Sequence, residues 1–327
     1  MKLRAFGRDS YQVSEVGLGA WQLGADWGDV DDATAEATLE AAVASGVNFI
    51  DTADVYGGGK SEQRIGRFLK KHAGKIFVAT KLGRRGDPGW PRNFDRATAR
   101  AHTEDSLRRL GVDCLDLTQW HCIPLSVLKE GAVFEHLREL QHEGKIRRWG
   151  LSVESMEEAQ LCLAQPGLAS LQIIFNIFRQ KPLDTIFATA KAKGVALIIR
   201  LPLASGLLSG RMSRATTFPA SDHRTYNRDG QAFNVGETFA GLPFEKGVEL
   251  ADDLKTMVPT GMPMARFALR WILDHDAVSV IIPGAKNPAQ ARENIAASEL
   301  PQLPAELHTK IRAFYQTRVQ AHIRGPY

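Results

Sequence analysis

Short apolar runs recur along this chain, and most are followed by a stretch whose apolar positions return every three or four residues. The first run is Val16-Gly17-Leu18-Gly19. Val47-Asn48-Phe49-Ile50 then leads into Asp51, and Ile76-Phe77-Val78-Ala79-Thr80 leads into Lys81. Further strands are predicted at 114–120, 146–152, 171–176, 195–201 and 278–282. Between them, helical spacing is predicted at 33–45 (capped by Asp31 or Asp32), 61–71, 94–110, 126–143, 156–164 and 183–193, and from Pro288 onward. Residues 2–14 read as a hairpin turning at Gly7-Arg8-Asp9. About eight strand–helix units with no break in composition predict an α/β fold, a single (β/α)8 TIM barrel domain over residues 1–327. The N-terminal β-hairpin precedes the barrel and a long loop follows its seventh strand. An open doubly wound sheet is the other arrangement that the alternation allows.

The strand ends carry the candidate chemistry. A parallel pair joined by a helix brings both C-terminal ends to one face of the sheet, so Asp51 and Lys81 meet there with Tyr56 in the loop between them. A carboxylate beside a lysine that faces a phenol is a device for lowering the phenol's pKa. The same residues serve equally as a structural ion pair and a turn tyrosine before Gly57-Gly58-Gly59. What shifts the balance is recurrence: Gly19-Ala20-Trp21, Trp120-His121, Ser152, Gln172, Arg200-Leu201-Pro202-Leu203 and Pro283-Gly284-Ala285-Lys286 also close apolar runs. His121, taken singly, reads as well as a core histidine. No GxGxxG follows the first strand, which leaves a Rossmann nucleotide site without support. The histidines and cysteines share no ligand spacing, so no metal site is expected.

Composition narrows the class further. Lysine and arginine number 41 against 37 acidic residues, spread along the chain, which argues against a nucleic-acid surface. The three cysteines, Cys114, Cys122 and Cys162, do not resemble a disulfide framework. There is no signal-peptide pattern and no apolar window of membrane-span length, so a cytoplasmic protein with no membrane partner is expected.

The stretch GVNFIDTADVYGGGKSE resembles the first signature of the aldo-keto reductases, and HTEDSLRRLGVDCLDLTQWH resembles the second. With IPGAKNPAQARENIAAS, the resemblance covers about residues 16–294. It implies a (β/α)8 barrel that binds a nicotinamide dinucleotide, NADPH (NADP+) as a rule and NADH as the other choice, extended across its top. It also implies a catalytic tetrad of Asp51, Tyr56, Lys81 and His121. Tyr56 would be the proton donor in carbonyl reduction, Lys81 and Asp51 would support it, and His121 would orient the carbonyl oxygen. The cofactor positions implied are Gly19, Ala20, Trp21, Asp51, Ser152, Gln172, Arg200, Pro202, Leu203, Gly206, Leu207, Gly284, Lys286, Gln290, Glu293 and Asn294.

Two departures from the family's commonest pattern stand out. Val153 follows Ser152 where many members have Asn, and Arg200 stands where many place an aromatic residue against the nicotinamide. A planar guanidinium can stack there as well. Cys122 reads as a core thiol. Residues 216–247 contain Phe218, Tyr226, Phe233, Phe239 and Phe244 and are expected to form a lid over the cofactor, with Arg224 and Arg228 as candidates for its phosphates. Lys286, before the helix that opens at Pro288, is the candidate for a 2′-phosphate, assisted by the backbone N–H groups there. The alternative is a solvated surface lysine.

Trp21, Trp27, Trp90 and Trp120 could line a pocket for a carbonyl or sugar substrate, and Arg84 and Arg85 could favour an anionic group. Two other functions stay open: an NAD(P)-dependent sugar dehydrogenase working oxidatively, and a cofactor-binding regulatory subunit of an ion channel. The sequence leaves the substrate and the oligomeric state open.

Overall fold

The computed structural model describes residues 1–8, 11–24, 27, 30–72 and 76–327. The chain opens with β1 (Leu3–Ala5) and β2 (Gln12–Ser14), an antiparallel pair with Leu3 opposite Ser14. The Phe6 N–H bonds the Tyr11 carbonyl at 2.9 Å, while Asp9 of the expected turn lies outside the described residues.

Eight parallel strands follow: β3 (Leu18–Gly19), β4 (Phe49–Asp51), β5 (Phe77–Leu82), β6 (Leu117–His121), β7 (Trp149–Ser152), β8 (Ser170–Ile174), β9 (Ala196–Arg200) and β10 (Val278–Ile281). They pair in sequence order. The first and last also meet, because the Gly17 N–H reaches the Ile281 carbonyl at 2.8 Å and the Gly19 N–H reaches the Pro283 carbonyl at 3.1 Å. The sheet is a closed barrel, and the open-sheet alternative falls.

Alternation along each strand sorts its side chains. Ile50, Val78, Trp120, Leu151, Leu171, Leu197 and Ile199 join the layer beneath the helices. Phe49, Phe77, Ala79, Leu117, Ala196, Ile198, Val280 and Ile282 instead pack inside the barrel, where Phe6 and Val13 of the hairpin join them. Ring centroids lie 4.9 Å apart for Phe6 and Phe77 and 5.1 Å apart for Phe49 and Phe77. The hairpin therefore plugs the N-terminal end of the barrel. Toward the other end the interior positions turn polar, with Asp51, Lys81, Gln119, His121, Ser152, Gln172 and Arg200.

The helices differ from the sequence reading where a local residue outvotes the period. Asp31, and not Asp32, caps α1 (Asp32–Ala44) by accepting the Thr34 N–H. After α2 (Lys60–His72), α3 (Arg96–Leu110) starts behind a 3-10 turn at Arg92–Phe94. The helix expected over 126–143 is two, α4 (Leu125–Glu130) and α5 (Ala132–His142), because Gly131 takes a left-handed φ of 85° and ends the first. Likewise, 183–193 divides at Ile186, after α6 (Met156–Leu163), into α7 (Pro182–Thr185) and α8 (Phe187–Lys193). Between β9 and β10 lie α9 (His223–Tyr226), α10 (Phe244–Lys255) and α11 (Met264–Leu273), and β10 is followed by α12 (Pro288–Ile295) and α13 (Ala305–Phe314). No helix among the described residues is long and apolar enough to cross a membrane.

Candidate active site

Strand β5 delivers Lys81 into the barrel mouth, fully buried, where all three of its N–H bonds find acceptors. They go to Asp51 Oδ1 at 2.5 Å, the Thr52 carbonyl at 2.8 Å and the Tyr56 hydroxyl oxygen at 3.3 Å. The other Asp51 oxygen accepts from Gln172 Nε2 of β8 at 2.7 Å. Burial works against the Lys81 charge, but the Asp51 carboxylate and the Tyr56 oxygen outweigh it, and the ammonium's pKa is raised. The lysine is thus a fixed cation with no donor left over.

Tyr56 stands on the loop after β4, which turns through Gly57, Gly58 and Gly59, all at positive φ. A Cβ on Gly57 would lie 2.6 Å from the Gly24 carbonyl oxygen, and one on Gly24 would lie 2.7 Å from the Tyr56 carbonyl carbon. The loops after the first two barrel strands therefore touch backbone to backbone. Above that seam Trp21 stacks on Tyr56 with centroids 5.7 Å apart and planes at 16°. The sequence reading expects a lowered phenol pKa. Burial instead pushes it up, and Lys81 only partly offsets the rise. Tyr56 is a protonated phenol at neutral pH.

His121 ends β6, its ring edge-on to Tyr56 at 5.8 Å. Burial first, then Arg84, Lys81 and Arg200, hold its pKa well below the imidazole range, so the ring is neutral. Its Nδ1 is buried without a hydrogen-bond partner among the described residues.

These groups open on a cavity of about 440 Å³ that runs to the start of α12. Of the residues proposed for cofactor, Gly19, Trp21, Asp51, Gln172, Arg200, Pro202, Leu203, Gly206, Gly284, Lys286, Gln290 and Asn294 line it. The others sit elsewhere. Ala20 is fully buried, and its N–H bonds the Asp51 carbonyl. Ser152 Oγ faces Cys122 Sγ at 3.3 Å, Leu207 is buried in the core, and Glu293 uses both oxygens on Arg266.

The far end of the cavity is partly self-capped. Gln290 Oε1 accepts the Lys286 N–H and Asn287 Oδ1 accepts the Gln290 N–H, which occupies two donors that the sequence reading leaves to an anion. The Lys286 side chain and Arg224 remain in the wall, and burial followed by Arg224 lowers the lysine's pKa.

Residues 216–247 lie between the seventh and eighth barrel strands, β9 and β10, and bring Arg224 and Glu237 into the cavity wall. His223 packs on Trp27 and Trp21 at 4.3 and 4.8 Å, while Phe218, Phe239 and Phe244 form a second cluster. Arg224 stacks on Phe218 and pairs with Asp222, whereas Arg228 stacks on Phe244 at 4.6 Å. The lid also brings in Glu237, which nothing in its local sequence singles out. It lies 3.1 Å from Arg84 Nη1 and 3.7 Å from Arg200 Nη1. Arg84 also holds Glu154 at 3.0 Å. Burial and then Glu237 push Glu154 up to about 7; burial acts the same way on Glu237, but Arg84 and Arg200 hold it at about 2. With Cys122, whose thiol burial raises to about 11, the two carboxylates lie within 4.8 Å of one another, but the arginines already neutralise them.

Several expectations about the pocket wall are corrected. Trp120 points out of the barrel and bonds the Val133 carbonyl, and Trp90 is exposed and bonds the Gly83 carbonyl. Arg85 is committed to Asp54 and Asp105 at 2.7 and 2.6 Å, and Arg84 to the two glutamates. Neither arginine is left over for an anionic substrate.

A nicotinamide dinucleotide fits this groove. The groove runs from Tyr56 to the start of α12, Gly206 and Gly284 line it where a Cβ would strike Met212 and Gln22, and Arg200, also in its wall, keeps a buried Nε donor with no partner among the described residues.

Fold and site together define a (β/α)8-barrel enzyme with a Lys-centred polar hub at its strand ends. The chain belongs to the aldo/keto reductase family, whose model matches residues 15–316. It is therefore an NAD(P)H-dependent oxidoreductase. It is 30% identical over 301 residues to the aldo-keto reductase YhdN of Bacillus subtilis, covering 89% of this chain and 86% of that one. It is 29% identical over 314 residues to the NADH-specific methylglyoxal reductase of Escherichia coli, covering 91% and 93%. The structure is similar to that of the glycerol dehydrogenase AKR11B4 from Gluconobacter oxydans, with a TM-score of 0.80, 31% identity and coverage of 99% and 98%.

Proposed function

We propose that the protein reduces an aldehyde or ketone to the alcohol with NADPH, and that Tyr56 gives the proton. The observation that carries this reading is the saturated lysine. Because Lys81 donates to the Tyr56 oxygen, the phenol's own O–H is left to donate into the cavity that His121 shares. When bound, the nicotinamide supplies the hydride. Tyr56 Oη gives its proton to the carbonyl oxygen, and the phenolate it leaves lies 3.3 Å from a cation that Asp51 keeps charged. A neutral His121 offers an N–H to the same oxygen, stabilising the negative charge that builds there. Trp21 on one face of Tyr56 keeps water from the phenol.

Gln172, Arg200, Pro202, Leu203 and Gly206 would hold the cofactor near Tyr56, and Gly284, Lys286, Gln290 and Asn294 at the other end. Lys286 and Arg224, two cations facing one cavity, support a 2′-phosphate there. The E. coli relative's specificity for NADH makes NADH the competing choice. The glycerol dehydrogenase neighbour favours one second reading, oxidation of a polyol, in which the Tyr56 phenolate takes the alcohol's proton. Rates for a panel of aldehydes, ketones and polyols, with NADPH and NADH in both directions, test the assignment. Carbonyl reduction fastest with NADPH is expected. Faster polyol oxidation would favour the second reading, and tight cofactor retention without turnover would favour a regulatory cofactor-binding role.

A further inference from the structure

Arg179 stands on the turn after β8, where its N–H and carbonyl both bond the backbone of Asn176. The residue is 1% exposed, and burial lowers its pKa to about 10, which leaves it charged at neutral pH. A buried guanidinium costs free energy unless acceptors surround it. Three main-chain carbonyls do so, each from a different stretch of the chain: Glu154 after β7 at 3.4 Å, Ala240 of the 216–247 segment at 3.3 Å, and Pro326. The Tyr327 ring covers it with its centroid 4.5 Å away. Since all three carbonyls satisfy one cation, that cation ties the three stretches to each other.

One of the stretches it ties down is strained. Phe239 and Ala240 take left-handed φ values of 53° and 58°, and Ala204 and Ser205 take 47° and 55°. The two pairs are bonded: Ser205 Oγ accepts the Phe239 N–H at 3.1 Å and donates to the Glu237 carbonyl at 3.3 Å. Residues with a Cβ stay in this region only where their surroundings over-determine it. Arg179 supplies part of that constraint at Ala240, and Arg324 supplies more by donating to the Gly241 and Leu242 carbonyls at 3.0 and 3.2 Å. Contact is tight as well, for a Cβ on Gly236 would lie 2.5 Å from Arg179 Nη1. Glu237, Ser205 and Gly206, which adjoin the strained pairs, line the groove, whereas Arg179 does not.

We propose that Arg179 is a positioning residue for the cofactor. It fixes the Phe239–Ala240 turn against Ser205, and the turn keeps this side of the groove in the shape that holds a dinucleotide. Without the guanidinium the left-handed pairs relax, the wall loosens and the cofactor leaves faster. The proton-transfer hub is untouched, because Lys81 and Asp51 bond only each other, Thr52, Tyr56 and Gln172. The inference rests on the groove being the cofactor's, and not on the substrate or on the direction of the reaction.

The test follows cofactor release by tryptophan fluorescence in wild type, Arg179→Lys and Arg179→Met, using whichever of NADP+ and NAD+ binds wild type more tightly. Amide hydrogen exchange of the cofactor-free proteins is measured alongside. Lysine keeps the charge but loses the fork that reaches several carbonyls at once, and methionine loses both. Release is expected to quicken about tenfold in Arg179→Met and about threefold in Arg179→Lys, the scale of one or two lost hydrogen bonds. The KM for the cofactor should rise in the same order, with kcat at saturating cofactor no lower than about half that of wild type. Exchange should quicken at residues 234–242 and stay unchanged in β4, β5 and β6. Should the methionine variant fail to fold, the lysine variant decides by the same readings. Unchanged release in a folded variant, a kcat that falls as far as the cofactor KM rises, or exchange that quickens equally in the barrel strands overturns the proposal and leaves the cofactor reading standing. If wild type binds neither nucleotide, the cofactor reading has failed and takes this proposal with it.

Discussion

Replacing Lys81 by Met keeps the length of the side chain and removes the charge that faces the Tyr56 oxygen at 3.3 Å. At an effective dielectric of about 20, a unit charge at that distance stabilises a phenolate by about 5 kcal/mol. Water and the Thr52–Tyr56 backbone recover part of this, so a loss of about 3 kcal/mol in the proton-transfer barrier is expected, a fall of roughly two orders of magnitude in kcat. Asp51→Asn is expected to do less, about tenfold. The amide oxygen can still accept from Lys81, and Gln172 can turn its own amide to match. Aldehyde-dependent NADPH oxidation measures both variants, with a thermal melt alongside. Lys81→Met leaves a buried carboxylate without its cation, so a lower Tm is expected too. If folded Lys81→Met kept kcat within about threefold of wild type, or if both variants lost activity only in step with their loss of fold, the pair would be structural and the mechanism would fail.

Tyr56→Phe removes only the hydroxyl and is expected to lower kcat/KM roughly 10²–10⁴-fold with cofactor binding intact, and retention of a third of the activity would take the proton from another group. Because burial raises the Tyr56 pKa, reduction needs the form already present at neutral pH. The rate of carbonyl reduction should stay level through neutrality and decline only above the ordinary phenol range, while alcohol oxidation should climb with pH; a loss of reduction centred near neutral pH would contradict this. Lys286→Ala should weaken NADP+ binding about tenfold, followed by tryptophan quenching, and leave NAD+ nearly unchanged; equal effects on both would remove Lys286 from 2′-phosphate recognition.

What the sequence shows, it shows through local signals. The unit from Val47 to Lys81 is legible because two apolar runs each end in one charge, and parallel pairing sets Asp51 opposite Ala79, from where its carboxylate reaches Lys81 two residues on. Barrel closure follows from counting such units. The division of 126–143 is less visible, since apolar spacing continues across Gly131 and only the glycine itself marks the break. The role of Gln172 in holding Asp51, and the meeting of Arg84, Glu154, Arg200 and Glu237, have no local signal at all. These residues lie far apart in sequence, and only the closed barrel and the folded lid bring them together. The direction of the Tyr56 pKa escapes for the same reason, because charge partners can be read from neighbours whereas burial depends on the whole fold.

The backbone seam between Gly24 and Gly57 bears on how this pocket can be altered, in the laboratory or by drift. Much of the pocket wall is side chain, which can be exchanged piece by piece with the barrel intact. At the seam there is no side chain to exchange: any Cβ meets main chain, and relief comes by moving one of the two loops, one of which carries Tyr56. A library that randomises the pocket should therefore return variants with new substrates from the lid and its neighbours, and inactive protein from these two glycines.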